Sequence, residues 1–564
     1  MRQVTDIFPM KASTDQDERQ KLYLLPEAIK LTRGSVADAE LLLKDQQTQA
    51  FLGKRAACRL ENSADGEMAA ILLDFGRELH GNLRLTVTDV KSASRRVRVR
   101  IRFGESVMEA LTPLYEKNAG NDHAVRDHLY DIGMLSTTET NESGFRFALI
   151  QLEEPEASLS IQAVHMCFIY RDIPYLGSFE CSDPLLEKIW NTAAYTVHLN
   201  MQNYLWDGIK RDRLVWQGDM HTEILTIENA FGANPVVPKT LDYLRDGTPA
   251  GEWMNGYSSY TLWWIIVQAE WYRYTGNLAY LEAQRAFLMA SLKMAANCVD
   301  ENGVEQLPQF RFLDWPNLKN RAATHAGLQG IVYLALTEGA YLLDVLNDKE
   351  NAAKCRAVAE RMRRHIPDCS GSKQAAALLA LSGLGDAETL NREVLVPGGA
   401  HGYSTFMGYY ILAAKALAGD WQGALDDLRA YWGGMLEMGA TTFWEDFDLD
   451  WMENGGRIDE IVPEGKKDVH GDYGAYCYEK FRHSLCHGWS SGPVPFLTRH
   501  ILGIQVTEPG CRRLTVAPHL GDLSYVRGTF PTPLGVVTVS HTKDPDGSVH
   551  TEYTAPEGVE ITIE

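Results

Sequence analysis

Between Pro184 and about residue 503 the chain reads as one helix after another, with almost no strand-like run between them. The pattern begins at Asp183-Pro184, a capping residue followed by proline at the first helical position. Behind it Leu186, Ile189, Trp190, Ala193, Ala194 and Val197 fall on one face of an amphipathic helix. The same periodicity returns over 221–231, 259–275, 278–299, 324–347, 350–365, 374–383, 405–418, 421–438 and 490–503. No fixed repeat of about 33–47 residues accompanies it, which disfavours a consensus-repeat solenoid. Helix pairs closed into a toroid satisfy the pattern.

The flanks have a different texture. From about 70 to 172 the period is two: Val97, Val99, Ile101 and Phe103 alternate with Arg98, Arg100 and Arg102, which predicts a strand with one wet face. The runs 82–90, 145–153 and 157–170 are of the same kind, separated by Gly, Asn and Asp, and an antiparallel β-sandwich is expected. Strand-like runs return after 505 in RRLTVAP, GVVTVSHT, SVHTEYTA and VEITIE. The expected plan is multidomain: an N-terminal β-sandwich with an irregular leader over 1–175, an all-α domain over 176–504, and a small C-terminal β-sheet domain over 505–564.

Charge narrows the partners. Lys and Arg number 54 against 75 Asp and Glu, a net charge of −21, so nucleic acid and anionic membranes are excluded as main partners. The N-terminus has no apolar signal core, and no run of about 18 apolar residues occurs. The nine cysteines are scattered and never in C-x-x-C spacing, as expected of reduced thiols in a cytoplasmic protein and not of disulfides or zinc ligands. No metal site or cofactor is expected. The 13 Trp and 24 Tyr fit either large helical cores or a cleft in which rings stack on sugars.

The densest polar cluster is DGIKRDRLVWQGD at 207–219, with Asp207, Arg211, Asp212, Arg213, Trp216 and Asp219. A solvated loop with surface ion pairs is the bland reading. Against it, carboxylates, guanidinium and indole together are the groups that bind sugar hydroxyls, and an Arg beside an Asp sets its ionisation. A second acid, Glu445, follows Trp444 in GATTFWEDFD (439–448). Two carboxylates on separate inter-helix loops, facing across one cleft, are what glycoside hydrolysis requires. Asp314 and Trp315 in FLDWPN, and Trp264 in a helical run, are candidate subsite residues, each Trp as readily core as cleft. His487 in SLCHGWSSGP is either a ligand contact or a satisfied buried histidine. Gly488–Gly492 matches G-x-S-x-G, but no β-run precedes it and Pro493 and Pro495 follow, so a nucleophile elbow is not expected.

With these motifs in place, the sequence resembles the α-L-rhamnosidases of glycoside hydrolase family 78. DGIKRDRLVWQGD is similar to their D-x-x-x-R-D-E-R-x-G-W-x-G-D signature, one residue shorter. GATTFWEDFD resembles their G-A-T-T-x-W-E block, and SLCHGWSSGPVPFLTRHILGI their S-L-N-H block; LDFGRELHGNLRLTV (73–87) is similar to the sheet segment before the catalytic domain. The resemblance implies an (α/α)6 barrel between β-domains and an inverting exo-glycosidase that removes terminal α-L-rhamnose from glycosides or oligosaccharides. It places the general acid on Asp212, one methylene shorter than the family's Glu, and the general base on Glu445. Asp207, Arg211 and Asp219 fall on positions that hold sugar hydroxyls, with Trp216, Trp264, Asp314, Trp315, Trp444 and His487 as further substrate contacts. The partner is then a small carbohydrate or rhamnosylated glycoside, with homo-oligomerisation left open. Another (α/α)6 glycosidase acting on a related sugar, or an inactive carbohydrate-binding relative, are the alternatives.

Overall fold

The computed structural model describes residues 17–51, 56–249, 251–308 and 310–564. The first 16 residues of the expected leader lie outside them; the rest is not irregular, because Gln20–Leu24, Ala28–Arg33, Ser35–Ala37 and Cys58–Asn62 pair into the sheet as strands. Among the described residues the N-terminal region forms a ten-stranded antiparallel sheet. Its organising strand, Ala70–Lys91, pairs with Ala28–Arg33 and Ser143–Leu152 along its first half and with Ala157–Tyr170 and Ser136–Glu139 along its second. The register shifts between Asp74 and Leu79, where the pairing with Ser143–Leu152 is interrupted. The strands expected to stack as two sheets are therefore hydrogen-bonded into one. The alternation in Arg96–Gly104 buries Val97, Val99, Ile101 and Phe103 as expected. Its wet face does not extend to Arg102, which is buried with Nε donating to Asp127 Oδ2 at 2.7 Å.

The centre is helical. Asp183 accepts the Leu185 N–H at 2.9 Å and starts the helix Pro184–Asn200 with proline in its first turn. The helix Arg321–Val345 packs against Ser258–Thr275, Leu278–Asn297, Lys349–Met362 and Lys373–Leu381, so it is buried along most of its length. Two elements depart from the periodicity. Val236–Gly247 is a helix that was not expected; Pro238 stands in its first turns, where a missing N–H is tolerated. The run 490–503 breaks into short pieces, Gly488–Ser491, Pro493–Phe496 and Leu497–Ile501.

The C-terminal strands form a four-stranded sheet (Tyr525–Thr532, Gly535–Lys543 and Val549–Thr554, joined by Ser178–Cys181) and a three-stranded sheet (Ile504–Glu508, Arg513–Val516 and Glu560–Ile563). Ser178–Cys181 pairs antiparallel with Tyr525–Thr532, so the strand just before the first long helix belongs to the C-terminal sheet. Both ends of the helical domain are thereby held together.

Candidate active site

Three irregular segments from distant parts of the chain lie side by side. The middle one, residues 484–488, exchanges backbone hydrogen bonds with both neighbours. On one side Glu445 donates its N–H to the Ser484 carbonyl at 2.9 Å and His487 donates to Phe443 at 3.0 Å. On the other, Gly488 donates to the Asp207 carbonyl at 2.8 Å, and Gly208 bridges His487. A Cβ on Gly208 would stand 2.6 Å from the Arg211 carbonyl oxygen and 3.0 Å from that of Cys486, so only glycine admits this approach. The zipper sets the 207–219 segment and the 443–445 segment on opposite flanks of one cleft of about 180 Å³.

Asp207, Arg211, Asp212, Trp216, Asp219, Trp315, Glu445 and His487 all line this cleft. Asp207 is a buried brace: its two oxygens accept the backbone N–H groups of Asp212 at 2.8 Å and Leu214 at 2.9 Å, which turns the loop so that Asp212 faces the cavity. Asp212 keeps 26% of its side chain exposed, while Asp207, Asp219 and Glu445 are buried. The Trp216 indole N–H donates to Asp212 Oδ2 at 3.3 Å; Oδ1 faces Arg211 and His123, each at 3.4 Å. On the opposite flank Glu445 Oε2 accepts the Ser484 N–H at 2.9 Å, and its main-chain carbonyl accepts the Trp489 indole N–H at 2.9 Å. His487 lies between, Nε2 at 2.8 Å from Asp219 Oδ1 and Nδ1 at 3.8 Å from Glu445 Oε1.

Burial governs the ionisation of this group. It raises Glu445 above the ordinary carboxyl range, with His487, Arg211 and the Ser484 N–H pulling it back. Asp207 and Asp219 are raised by burial too; His487 opposes the rise at Asp207, while Asp212 adds to it at both. Behind them Glu223, buried and reinforced by the charges of Asp219 and Asp207, is raised further. A cleft with several acids pushed towards neutrality, beside one solvent-reachable carboxyl, can give a proton at one face and accept one at the other.

Three expected contacts do not reach the cleft. Trp264 is fully buried in its helix, edge-on to Phe287 at 4.9 Å, and Trp444 is buried edge-on to Phe447 at 5.5 Å. Both indoles are thereby part of the apolar core. Asp314 is buried and holds the loop: it accepts both the N–H and the side-chain amide of Asn317, and the Ser404 hydroxyl at 3.1 Å. It thereby aims its neighbour Trp315 at the cavity. Ser490 donates its hydroxyl to the His487 carbonyl at 2.6 Å and not to an imidazole, so the G-x-S-x-G match is a packing feature.

The structure adds cleft residues that the motifs did not single out: Tyr257, Tyr260, Cys477, Tyr478, Arg482 and Trp489. Tyr257 and Tyr260 open a helix directly after Gly256, and their rings stack at 4.7 Å. The aromatic-rich stretch YGAYCYEKFR before SLCH carried the other signal.

A helical domain between sheets, with an acid-lined cleft built on loops, is the layout of a six-hairpin glycosidase domain. Residues 174–368 match the bacterial alpha-L-rhamnosidase six-hairpin glycosidase domain, and residues 503–564 match the bacterial alpha-L-rhamnosidase C-terminal domain. The chain is thus similar to the bacterial α-L-rhamnosidases in both its helical and its C-terminal parts. It is 25% identical over 532 residues to an alpha-L-rhamnosidase of Alteromonas sp. (strain LOR), covering 85% of this chain and 54% of that protein. This chain thus spans about half the length of that relative. Its fold is similar to that of the family 78 rhamnosidase of Bacillus sp. GL1, with a TM-score of 0.74 at 21% identity over 94% of this chain and 56% of that one. It is also similar to a Klebsiella oxytoca rhamnosidase solved with rhamnose bound, with a TM-score of 0.67 at 20% identity over 85% of this chain and 95% of that one.

Proposed function

We propose that the chain is an inverting exo-glycosidase that hydrolyses terminal α-L-rhamnosyl residues from small glycosides or oligosaccharides. The observation that carries this reading is the placement of Asp212 and Glu445 on opposite flanks of one cleft, joined by the 484–488 segment. In this mechanism Asp212 gives its proton to the glycosidic oxygen as the bond to the anomeric carbon breaks. Glu445 takes a proton from the water that attacks the other face of that carbon, so the hydroxyl ends on the sugar with inverted configuration. Asp207, Arg211, Asp219 and His487 hold the sugar hydroxyls, with bonds that tighten as positive charge develops on the ring. Trp216 and Trp315 pack on the methyl group or a ring face.

The helix pairs then form an (α/α)6 barrel within 176–504, between an N-terminal domain (1–175) whose sheet folds on itself as a sandwich and a C-terminal β-domain (505–564) whose sheet Ser178–Cys181 joins. All nine cysteines are free thiols, which supports a reducing, cytoplasmic setting. The shorter acid, Asp212, favours one second reading, a carbohydrate-binding relative without turnover. A screen of nitrophenyl α-L-rhamnoside, fucoside, glucoside and glucuronide decides between them. Turnover confined to the rhamnoside is expected; preference for another sugar, or binding of rhamnose without turnover of any substrate, overturns the proposal.

A further inference from the structure

Lys210 stands two residues before Asp212, yet its side chain turns away from the cleft and is buried. A buried ammonium is costly unless oxygens surround it. Lys210 Nζ lies 2.8 Å from Glu105 Oε2 and 3.3 Å from Glu109 Oε1, and donates to the carbonyls of His483 at 2.7 Å and Phe481 at 3.1 Å. Glu105 directly follows the strand Arg96–Gly104, and Glu109 lies in the helix Val107–Leu111, so both carboxylates come from the N-terminal sheet region. Arg126, with Nε 3.9 Å from Glu109 Oε1, supplies the second cation for the two acids. Glu105, Glu109 and His470 are spaced as metal ligands are, but Lys210 already provides the positive charge among them.

Glu105 also faces the other flank. Its Oε2 accepts the Leu485 N–H at 2.7 Å and its Oε1 the Ser484 hydroxyl at 3.4 Å. Ser484 in turn gives its backbone N–H to Glu445 Oε2. One buried ion pair therefore touches both the loop of Asp212 and the segment that orients Glu445.

We propose that Lys210 and Glu105 are positioning residues, an ion pair reaching across from the N-terminal sheet that holds the Asp212 loop and the Ser484 N–H on Glu445 in one fixed frame. The inference rests on the assignment of Asp212 and Glu445 as acid and base. Neither segment has a helix or a long strand to stiffen it, and a displacement of about 1 Å at a reacting group costs roughly 10²-fold in rate. The N-terminal sheet is on this account part of the catalytic frame and not only a flanking domain.

The test compares Lys210→Met and Glu105→Gln with Lys415→Met in the full chain. Glu105→Gln keeps an acceptor for Leu485 and removes only the charge. Lys415 is a matched control, a buried ammonium on the helix Gly408–Leu417 paired with Asp427 of the helix Trp421–Glu437. Hydrogen exchange read by mass spectrometry should show the 207–213 and 483–487 peptides losing protection together, by about tenfold or more, in both frame variants. On the aryl rhamnoside kcat should fall about 10²-fold, and the acid limb of kcat/KM should move to higher pH as the Ser484 N–H loosens from Glu445. Lys415→Met should lower the melting temperature and leave both readings where they are. Unchanged exchange in the two loops, or activity lost only in proportion to unfolded protein with the acid limb unmoved, overturns the proposal. If Lys210→Met does not fold, Glu105→Gln decides by the same readings. A wild type that turns over no rhamnoside sinks the functional assignment, while the exchange data still decide the frame.

Discussion

The imidazole Nε2 of His487 lies 2.8 Å from Oδ1 of Asp219, within the buried floor of the cleft. The same ring presents Nδ1 to Glu445 at 3.8 Å, so one side chain links the candidate base to a neighbouring acid. Replacing it with Ala removes a partner from both carboxyls in a low-dielectric site, where hydrogen-bond networks count for more than in water. His487→Ala should lower kcat/KM on an aryl rhamnoside by about 10–10²-fold, as expected for loss of one hydrogen bond to a charged group. Steady-state kinetics beside a melting curve check this; full activity with a normal melt would remove His487 from the site.

The proposed roles of Asp212 and Glu445 should separate by leaving group. Proton donation matters most when the departing oxygen is a poor leaving group. Asp212→Asn should therefore slow cleavage of an alkyl or sugar rhamnoside by about 10²–10⁴-fold, and a nitrophenyl rhamnoside much less. Glu445→Gln should slow both, with added azide partly restoring turnover. Equal losses on all leaving groups for Asp212→Asn would take the acid role from it.

As the proposed base, the raised Glu445 carboxyl should set the low-pH side of activity. A general base works only when ionised, and burial favours its neutral form. The acid limb of kcat/KM should accordingly lie above the ordinary Glu range of about 4.3. A pH–rate profile shows this directly, and Glu445→Gln should remove the limb.

Asp314 gives a stability test independent of the chemistry. Burial raises it to about 6, against the hydrogen bonds from Asn317 and Ser404 that lower it. Its folded value is above the unfolded one, so the fold binds the extra proton. That contribution is fully present below about pH 4 and is lost as pH rises through about 6, with a ceiling of about 3 kcal/mol. Asp314→Asn keeps the bonding pattern without the charge. Thermal melts should show the variant gaining on the wild type between pH 4 and pH 8; a constant difference across that range would contradict the assignment.

The two classes of tryptophan should separate as well. Trp264→Ala removes a fully buried indole and should cost about 3–5 kcal/mol of stability, with the folded fraction keeping its KM. Trp315→Ala should raise KM with a smaller effect on the melt. Calorimetry paired with kinetics distinguishes them.

Periodicity carried most of the fold because each helix has one face to bury, and the Asp183-Pro184 start was explicit in the residues. Val236–Gly247 is not legible in the periodicity, because Pro238 reads as a breaker unless the first turn is already known. The fate of Arg102 depended on Asp127, a partner on the neighbouring strand that no local pattern announces. In the cleft, the clustered acids of 207–219 and Glu445 were visible as chemistry. Trp264 and Trp444 were not separable from Trp216 and Trp315, since an indole is written the same way in a core and in a subsite. Glu105 was silent for the same reason: RFGES reads as the end of a strand until Lys210 is placed against it.

Hydrolysis with inversion by Asp212 and Glu445, as proposed, fixes the anomer that is released first. Proton NMR during hydrolysis of an aryl α-L-rhamnoside, read before mutarotation equilibrates the product, should show β-L-rhamnose appearing first. First appearance of α-L-rhamnose would mean retention and would contradict the assigned roles of both carboxyls.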